Sequence, residues 1–173
     1  MSLPVLQVER MTLRPIEDTD LDALVAIIQS PGVREWWWEA DDPERLRAGF
    51  REDAEAESAF AIEVDGELAG WLGFHEETDP GYKHAGIDIS LDPGVQGRGL
   101  GPDAIRTVIR WLADERGHHR FSIDPSARNE RAIRAYESVG FKRVGVLRRY
   151  ERDAEGPGFH DGLLMDLLID ELR

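Results

Sequence analysis

The spacing of apolar positions along this chain predicts a first strand followed by two helices. Alternating and β-branched positions from Leu3 to Arg14 are typical of a strand, which Pro15 ends. A helix capped by Asp18 and stopped by Pro31-Gly32 follows. A second helix is expected after Asp42-Pro43, an N-cap and first-turn pair. The apolar stripes consist of Leu21, Leu24, Val25 and Ile28 in the first helix and of Leu46 and Phe50 in the second.

The middle of the chain predicts a hairpin, a strand and a third helix. Two β-rich runs, Phe60 to Val64 and Leu68 to Leu72, flank Asp65-Gly66, a dipeptide favoured in two-residue hairpin turns. A further strand is predicted from His84 to Leu91, and the glycine-rich segment after it leads into a helix. The apolar face of that helix consists of Ile105, Val108, Ile109 and Leu112.

The last third of the chain predicts three strands and one helix. Arg120 to Ile123 is a short strand, and Asn129 to Val139 is a helix that Gly140 closes in a left-handed conformation. Strands are then expected from Phe141 to Leu147 and from Leu163 to Ile169, joined by a polar, glycine-rich hairpin. The element order β-α-α-β-β-β-α-β-α-β-β places the chain in the mixed α/β class.

Length and composition limit the kind of protein this chain can be. With 173 residues, 41% of them apolar, it is long enough for one good core, so we expect a single domain spanning residues 1–173. No apolar stretch approaches the roughly 20 residues of a membrane span, and no signal peptide is apparent, so a soluble, cytoplasmic protein is expected. The absence of cysteine excludes disulfides and an acyl-cysteine intermediate.

The formal charge of −14 affects the choice of partners. It disfavours binding to nucleic acids and anionic membranes, since both bind clusters of Lys and Arg, and it favours binding of a positively charged small molecule. The alternative interpretation of this charge is that the acidic residues serve only to keep the protein soluble. The five histidines lack metal-ligand spacing, so no metal site is predicted.

A glycine-rich loop, Gln96 to Gly101, lies where a strand leads into a helix. Closely spaced glycines there let backbone N–H groups converge on an anion, and the helix start adds its positive dipole end. Pro102 suits the first helical turn, whereas Asp103 would mildly repel a phosphate. A P-loop is excluded because Gly-Lys-Ser and Gly-Lys-Thr do not occur in the chain.

A dinucleotide site is the other alternative for this loop. Gly99, Gly101 and Ala104 fit the dinucleotide fingerprint, and Asp124 lies about 20 residues on, where a ribose ligand is expected. A doubly wound domain would need several more strand and helix units after Asp124, and the chain supplies one helix and a hairpin. The element order therefore argues against NAD.

Two motifs in this chain resemble those of the GNAT N-acetyltransferases. Leu91 to Gly101 is similar to the acetyl-CoA motif of that superfamily, and Asn129 to Phe141 is similar to its second cofactor motif. The resemblance implies a mixed, mostly antiparallel sheet of about seven strands flanked by four helices, and acetyl-CoA as donor. It also implies that the cofactor is bound by Ile89, Leu91, Gln96, Gly97, Arg98, Gly99, Leu100, Gly101, Pro102, Asn129, Ala132 and Tyr136.

Other segments are similar to one branch of the aminoglycoside 6'-N-acetyltransferases. They are Met11 to Arg14, Glu35 to Trp37, Glu77 to Gly81, Gly86 to Asp88 and Asp124 to Ser126. That branch has a longer Trp-containing loop with a further Asp, whereas here Trp71 to His75 occupies the stretch. Either Asp88 bears more of the proton transfer, or the substrate is different. Leu13-Arg14-Pro15 also occurs in ribosomal-type protein N-terminal acetyltransferases.

The chemistry of amine acetylation selects the candidate site residues. The reaction needs a neutral nitrogen, donors for a developing oxyanion and stabilisation of the departing thiolate. Asp88 is the candidate for orienting the ammonium and receiving its proton, and the family implies that Tyr136 faces the cofactor sulfur. Carboxylates and a Trp face suit a polycationic amino sugar. The acceptor-site candidates are Trp37, Glu76, Glu77, Asp79, Asp88 and Asp124.

Three functions remain open from the sequence. The first is acetylation of an aminoglycoside or a similar cationic small-molecule amine by direct attack in a ternary complex, in a monomer or homodimer. The second is acetylation of a protein N-terminus. The third is a non-catalytic module that senses acyl-CoA, against which the presence of Asp88 and Tyr136 argues.

Overall fold

The computed structural model describes residues 2–173 and contains one eight-stranded sheet in the order β1-β2-β3-β4-β5-β6-β8-β7. All neighbouring strands are antiparallel except β5 and β6. The predicted mixed, mostly antiparallel sheet is therefore confirmed. The strands are β1 Leu6–Val8, β2 Met11–Pro15, β3 Ala59–Val64, β4 Glu67–Glu77, β5 His84–Leu91, β6 Arg120–Ile123, β7 Lys142–Arg152 and β8 Phe159–Leu168.

Four α-helices lie against this sheet, as predicted, and short 3-10 turns join several of the elements. The Asp42 side chain caps the second helix by accepting from the Arg45 backbone N–H at 3.0 Å, and Gly140 ends the fourth at φ 119°. No helix between residues 2 and 173 has the length and hydropathy needed to cross a membrane. The helices are α1 Leu21–Ile28, α2 Pro43–Glu55, α3 Leu100–Arg116 and α4 Glu130–Val139.

Two apolar clusters form the core. The larger joins α3 and α4 to the sheet, and the smaller joins α1 and α2 to β3 and β4. Phe60 and Leu72 of the sheet are fully buried in the larger cluster, while Trp71 belongs to the smaller one. Because successive side chains of β4 point to opposite faces of the sheet, these neighbours belong to different clusters.

The prediction of a single strand from Leu3 to Arg14 is wrong, and this accounts for the eighth strand. A tight turn at Glu9-Arg10 folds the segment into the β1–β2 hairpin, in which Val8 pairs with Met11. The predicted cap of α1 also differs. Asp18–Asp20 forms a 3-10 turn, and α1 begins at Leu21 because Asp20 is held by Arg14 at 2.7 Å and by the Glu17 N–H.

The last two strands are longer than predicted. β7 extends to Arg152 and β8 begins at Phe159, and their pairing shifts register between Arg143 and Gly145 and between Leu147 and Glu151. β7 lies at the sheet edge with nearly all of its side chains exposed. An edge strand exposed on both faces shows no alternation of apolar and polar positions, which explains the short prediction.

The sheet splits between β5 and β6. These two strands pair only at Ala85 with Phe121 and at Gly86 with Ser122, whereas β5 continues to Leu91 along β4. The backbone of β5 beyond Gly86 has no strand neighbour on its β6 side. At this split β5 leads into α3 and β6 leads into α4, so the N-termini of both helices face the opening.

Candidate active site

A cavity of about 1360 Å³ occupies the split between β5 and β6. One wall is the end of β5, from Asp88 to Leu91, and the other is the segment from Ile123 to Ser126. The unpaired backbone groups of β5 thus face the space where a ligand would lie. This geometry agrees with the predicted contacts of Ile89 and Leu91 to a cofactor.

The glycine loop lines the end of this cavity next to α3. Gly97 and Gly99 have φ of 76° and 78°, a left-handed conformation in which a Cβ is strained. Gln96 holds the loop to β5, because its Nε2 donates to the Leu91 carbonyl at 2.8 Å. The predicted loop residues Gln96, Gly97, Gly99, Leu100, Gly101 and Pro102 all line the cavity.

Arg98 is the loop residue that does not line the cavity. Its carbonyl accepts a hydrogen bond from Arg10 at 2.8 Å, and the same guanidinium contacts Asp103 at 2.8 Å. Asp103 also accepts from Arg106 at 2.9 Å. The two arginines compensate the charge of Asp103, so the expected repulsion of a phosphate at the helix start is removed.

The N-terminus of α4 faces the same end of the cavity. Asn129 caps the helix by accepting from the Ala132 N–H at 3.2 Å, and both residues line the cavity. Arg131 donates to Gln96 at 2.9 Å and so lies beside the glycine loop. Two helix dipoles and a guanidinium converge here, which fits the pyrophosphate of a CoA cofactor.

Asp88 projects from β5 into the cavity, where its side chain is exposed to the cavity but surrounded at longer range by protein. This limited hydration raises the pKa of Asp88 to about 6. Repulsion by Asp124 and Asp53 also raises the pKa, and His75 lowers it. A carboxylate with a pKa near 6 is ionised at neutral pH and basic enough to accept a proton.

Tyr136 of α4 also lines the cavity. Burial holds its pKa above the usual range, and repulsion by Asp88 and Asp124 raises it further. The phenol therefore keeps its proton at neutral pH and acts as a hydrogen-bond donor. An edge-to-face contact with Phe141, at 6.3 Å between ring centroids, supports the ring.

The end of the cavity away from the glycine loop is acidic. The predicted residues Asp124 and Trp37 line it, together with Glu39 and Glu151, which the sequence analysis missed. Burial raises the pKa of Glu151, while His160 lowers it and neighbouring carboxylates raise it. Burial likewise raises the pKa of Glu39. Several carboxylates grouped in this position attract a cationic ligand.

Aromatic side chains complete the acidic end. Trp37 packs on Trp71 with ring centroids 5.7 Å apart, and the Tyr150 hydroxyl donates to Asp124 at 2.6 Å. The guanidinium groups of Arg45 and Arg152 lie 4.5 and 5.5 Å from the centre of the Trp38 ring. These contacts join the start of α2 to the end of β7 beside the cavity.

Three predicted acceptor residues lie outside this cavity. Glu76 is paired with Arg116 and lies 2.7 Å from His118 Nε2, so its charge is already compensated. Glu77 and Asp79 lie on the exposed turn after β4, where their carboxylates accept from the Asp79 and Gly81 backbone N–H groups. None of the three lines the cavity that contains Asp124, although Glu76 lines a smaller cavity to which Asp88 also belongs.

A family model for the GNAT acetyltransferase domain matches residues 10–142 of this chain. The chain belongs to the GNAT acetyltransferase family. It is therefore an N-acetyltransferase, as predicted. Solved structures of the same fold are complexed with coenzyme A or acetyl-CoA, in agreement with the predicted acetyl-CoA cofactor.

Relatives with different acceptors resemble this GNAT chain. Aminoglycoside N(6')-acetyltransferase type 1 of Klebsiella pneumoniae is 30% identical over 158 residues, 80% of this chain and 77% of that protein. N-alpha-acetyltransferase RimI of Mycobacterium tuberculosis is 33% identical over 114 residues, 65% of this chain and 70% of that protein. Among solved structures, AAC(6')-Ib with ribostamycin and coenzyme A has a TM-score of 0.76 at 24% identity, covering 94% of this chain and 96% of that one.

Proposed function

We propose that this acetyltransferase acetylates a primary amine of a cationic small molecule, with the 6'-amine of an aminoglycoside as the preferred acceptor. The observation that carries the proposal is the grouping of Asp88, Asp124, Glu39 and Glu151 around the cavity that also contains the glycine loop. Carboxylates so arranged can bind several ammonium and hydroxyl groups at once. The Klebsiella pneumoniae relative supports this choice of acceptor.

Asp88 is the proposed base of the reaction. An ammonium bound beside it must lose a proton before its nitrogen can attack, and a carboxylate with a pKa of about 6 accepts that proton directly or through water. Acetyl-CoA, when bound, supplies the thioester that the amine attacks in a ternary complex. Asp124 and Glu151 hold the rest of the acceptor so that its nitrogen stays oriented.

Tyr136 has the complementary role of hydrogen-bond donor at the leaving group. Its raised pKa keeps the hydroxyl protonated, and a phenol can stabilise a departing thiolate without full proton transfer. Backbone N–H groups near Ile89 and Leu91 are the proposed donors to the thioester carbonyl, since β5 has no strand neighbour there on its β6 side.

A test of this function is the position of the added acetyl group. We expect incubation with acetyl-CoA to add one acetyl group to an aminoglycoside, and NMR of the product to place it on the 6'-nitrogen. The matched control is an analogue that carries a 6'-hydroxyl, which should remain unmodified. Acetylation at another amine of both compounds would contradict the 6' assignment.

A second candidate is acetylation of a peptide N-terminus. Its structural support is β7, whose outer edge is unpaired and whose end lines the cavity through Tyr150 and Arg152. An extended peptide could add to that edge by backbone pairing with its α-amine in the cavity. The similarity to the Mycobacterium tuberculosis N-alpha-acetyltransferase favours the same substrate class.

A further inference from the structure

A second cavity, of about 290 Å³, lies on the other side of Asp88. It is bounded by β4, β5 and the segment from the end of α2 to Ser58. Asp88 lines both cavities and, among residues 2–173, is the one residue that they share. The polar walls and the volume leave room for several water molecules, at about 30 Å³ for each.

Two glycines make room for aromatic rings beside Asp88. Gly73 of β4 pairs directly with Asp88, and a Cβ on Gly73 would overlap the Trp71 ring. His75 pairs with Gly86, and a Cβ on Gly86 would overlap the His75 ring. The imidazole therefore lies over Gly86, two residues from Asp88 on the same face of β5, and both side chains line the second cavity.

His75 is suited to exchange protons between this cavity and solvent. Its side chain is exposed, and it makes no ion pair within residues 2–173. Arg116, the other basic side chain of the cavity, is paired with Glu76 and stacks on Trp111 at 4.7 Å. An imidazole accepts and releases protons near neutral pH, which a guanidinium does not.

We propose that His75 is the proton exit of the reaction: it takes from Asp88, through water in the second cavity, the proton that Asp88 removes from the acceptor ammonium. The inference rests on the proposed function of Asp88 as base. The ammonium N–H bond breaks as the Asp88 O–H bond forms, and that proton then passes to the His75 imidazole and to bulk water. Of the two protons left on the attacking nitrogen, one leaves with the CoA sulfur and the other stays on the amide, so donor and ammonium yield amide, thiol and one released proton.

His75 is in this account a positioning residue that acts through Asp88 and touches neither reactant. A proton exit on the far side of Asp88 leaves the first cavity free for acceptor and donor. It also restores the Asp88 carboxylate for the next turnover without opening the active site.

The electrostatics agree with this arrangement. Asp53 from α2 and Asp124 after β6 face Asp88 and raise its pKa, whereas His75 from β4 lowers it. Asp88 in turn raises the pKa of Tyr136 on α4 and of Glu151 on β7. Loss of the imidazole should therefore raise the pKa of Asp88 above about 6.

Carboxyl NMR tests this link without any acceptor. In protein labelled with 13C at the aspartate carboxyls, Asp88→Asn identifies the Asp88 resonance. We expect His75→Gln to move the Asp88 titration to higher pH by about half a unit, less than the about 1–3 units that an adjacent Arg causes, because the His75 side chain is exposed. The control His84→Gln changes a histidine that lines neither cavity and should leave the midpoint in place. An unchanged midpoint in His75→Gln overturns the proposal.

Kinetics with an acceptor that turns over tests the exit itself. We expect His75→Gln to lower kcat about tenfold with little change in the acceptor KM, and free imidazole to restore the rate. A loss that imidazole does not restore, or a change in KM alone, overturns the proton exit and makes the second cavity part of the acceptor site. If no amine turns over, the proposed function fails, and the carboxyl titration still decides whether His75 is coupled to Asp88.

Discussion

Asp88→Asn is the substitution that tests the proposed chemistry most sharply. Asparagine keeps the size of the side chain and can still hydrogen-bond an amine, but it cannot accept the proton. Removing a positioned base slows a reaction typically by about 10²–10⁴-fold. Because Asp88 lies beyond the glycine loop and the helix N-termini, we expect the Kd for acetyl-CoA to change by less than about twofold.

The pH dependence of kcat/KM provides a second test of the role of Asp88. With a pKa of about 6, Asp88 is mostly ionised at pH 7 and mostly protonated at pH 5. In the unsubstituted enzyme kcat/KM should therefore fall about tenfold for each pH unit below 6. The variant has no such carboxylate, so this acid limb should be absent from its profile.

The assay is steady-state CoA release from pH 5 to 9, together with acetyl-CoA binding by calorimetry. Asp114→Asn, on the exposed face of α3, is the matched control and should behave like the unsubstituted enzyme. Equal loss of turnover and of acetyl-CoA affinity in Asp88→Asn would refute the catalytic role, as would an acid limb that persists in the variant.

Three further predictions concern stability and binding at the site. Asp88→Asn should stabilise the fold by about 1 kcal/mol at pH 8 but not at pH 3.5. The pKa of Asp88 is raised in the folded protein, so ionisation of this carboxyl between pH 4 and 6 opposes folding, and thermal melts at both pH values measure the difference. Gly97→Ala should weaken acetyl-CoA binding about tenfold by straining a residue at φ 76°, whereas Gly145→Ala on β7, with open space around its Cβ position, should not; equal affinities would contradict this. Glu151→Gln should raise the KM of a cationic acceptor about fivefold at constant kcat, and an unchanged KM would remove Glu151 from the acceptor site.

Local sequence patterns were enough for most of the elements. The strands from His84 to Leu91 and from Arg120 to Ile123 have the predicted bounds, and Asp65-Gly66 does form the hairpin turn. These features depend on neighbouring residues alone. The turn at Glu9-Arg10 carries no glycine or proline, so nothing local marks it, and the hairpin there is held by sheet pairing.

The candidate site was predictable where a motif defines it and less so where distant segments meet. The glycine loop and the cap of α4 were recognisable because glycine and asparagine have conformational roles there. Glu39 and Glu151 reach the cavity only through the packing of separate loops and an edge strand. Glu76 was a reasonable candidate by sequence, but Arg116 lies 40 positions further along the chain and compensates its charge.

Release of free CoA from acetyl-CoA tests the proposed function most directly, measured with a thiol reagent across a panel of aminoglycosides, polyamines and N-terminal peptides. The protein has no cysteine, so it adds no background to this assay. We expect turnover with aminoglycosides that carry a 6'-amine and little with the peptides. Turnover with peptides and none with aminoglycosides would contradict the proposed function and favour the N-terminal acetyltransferase.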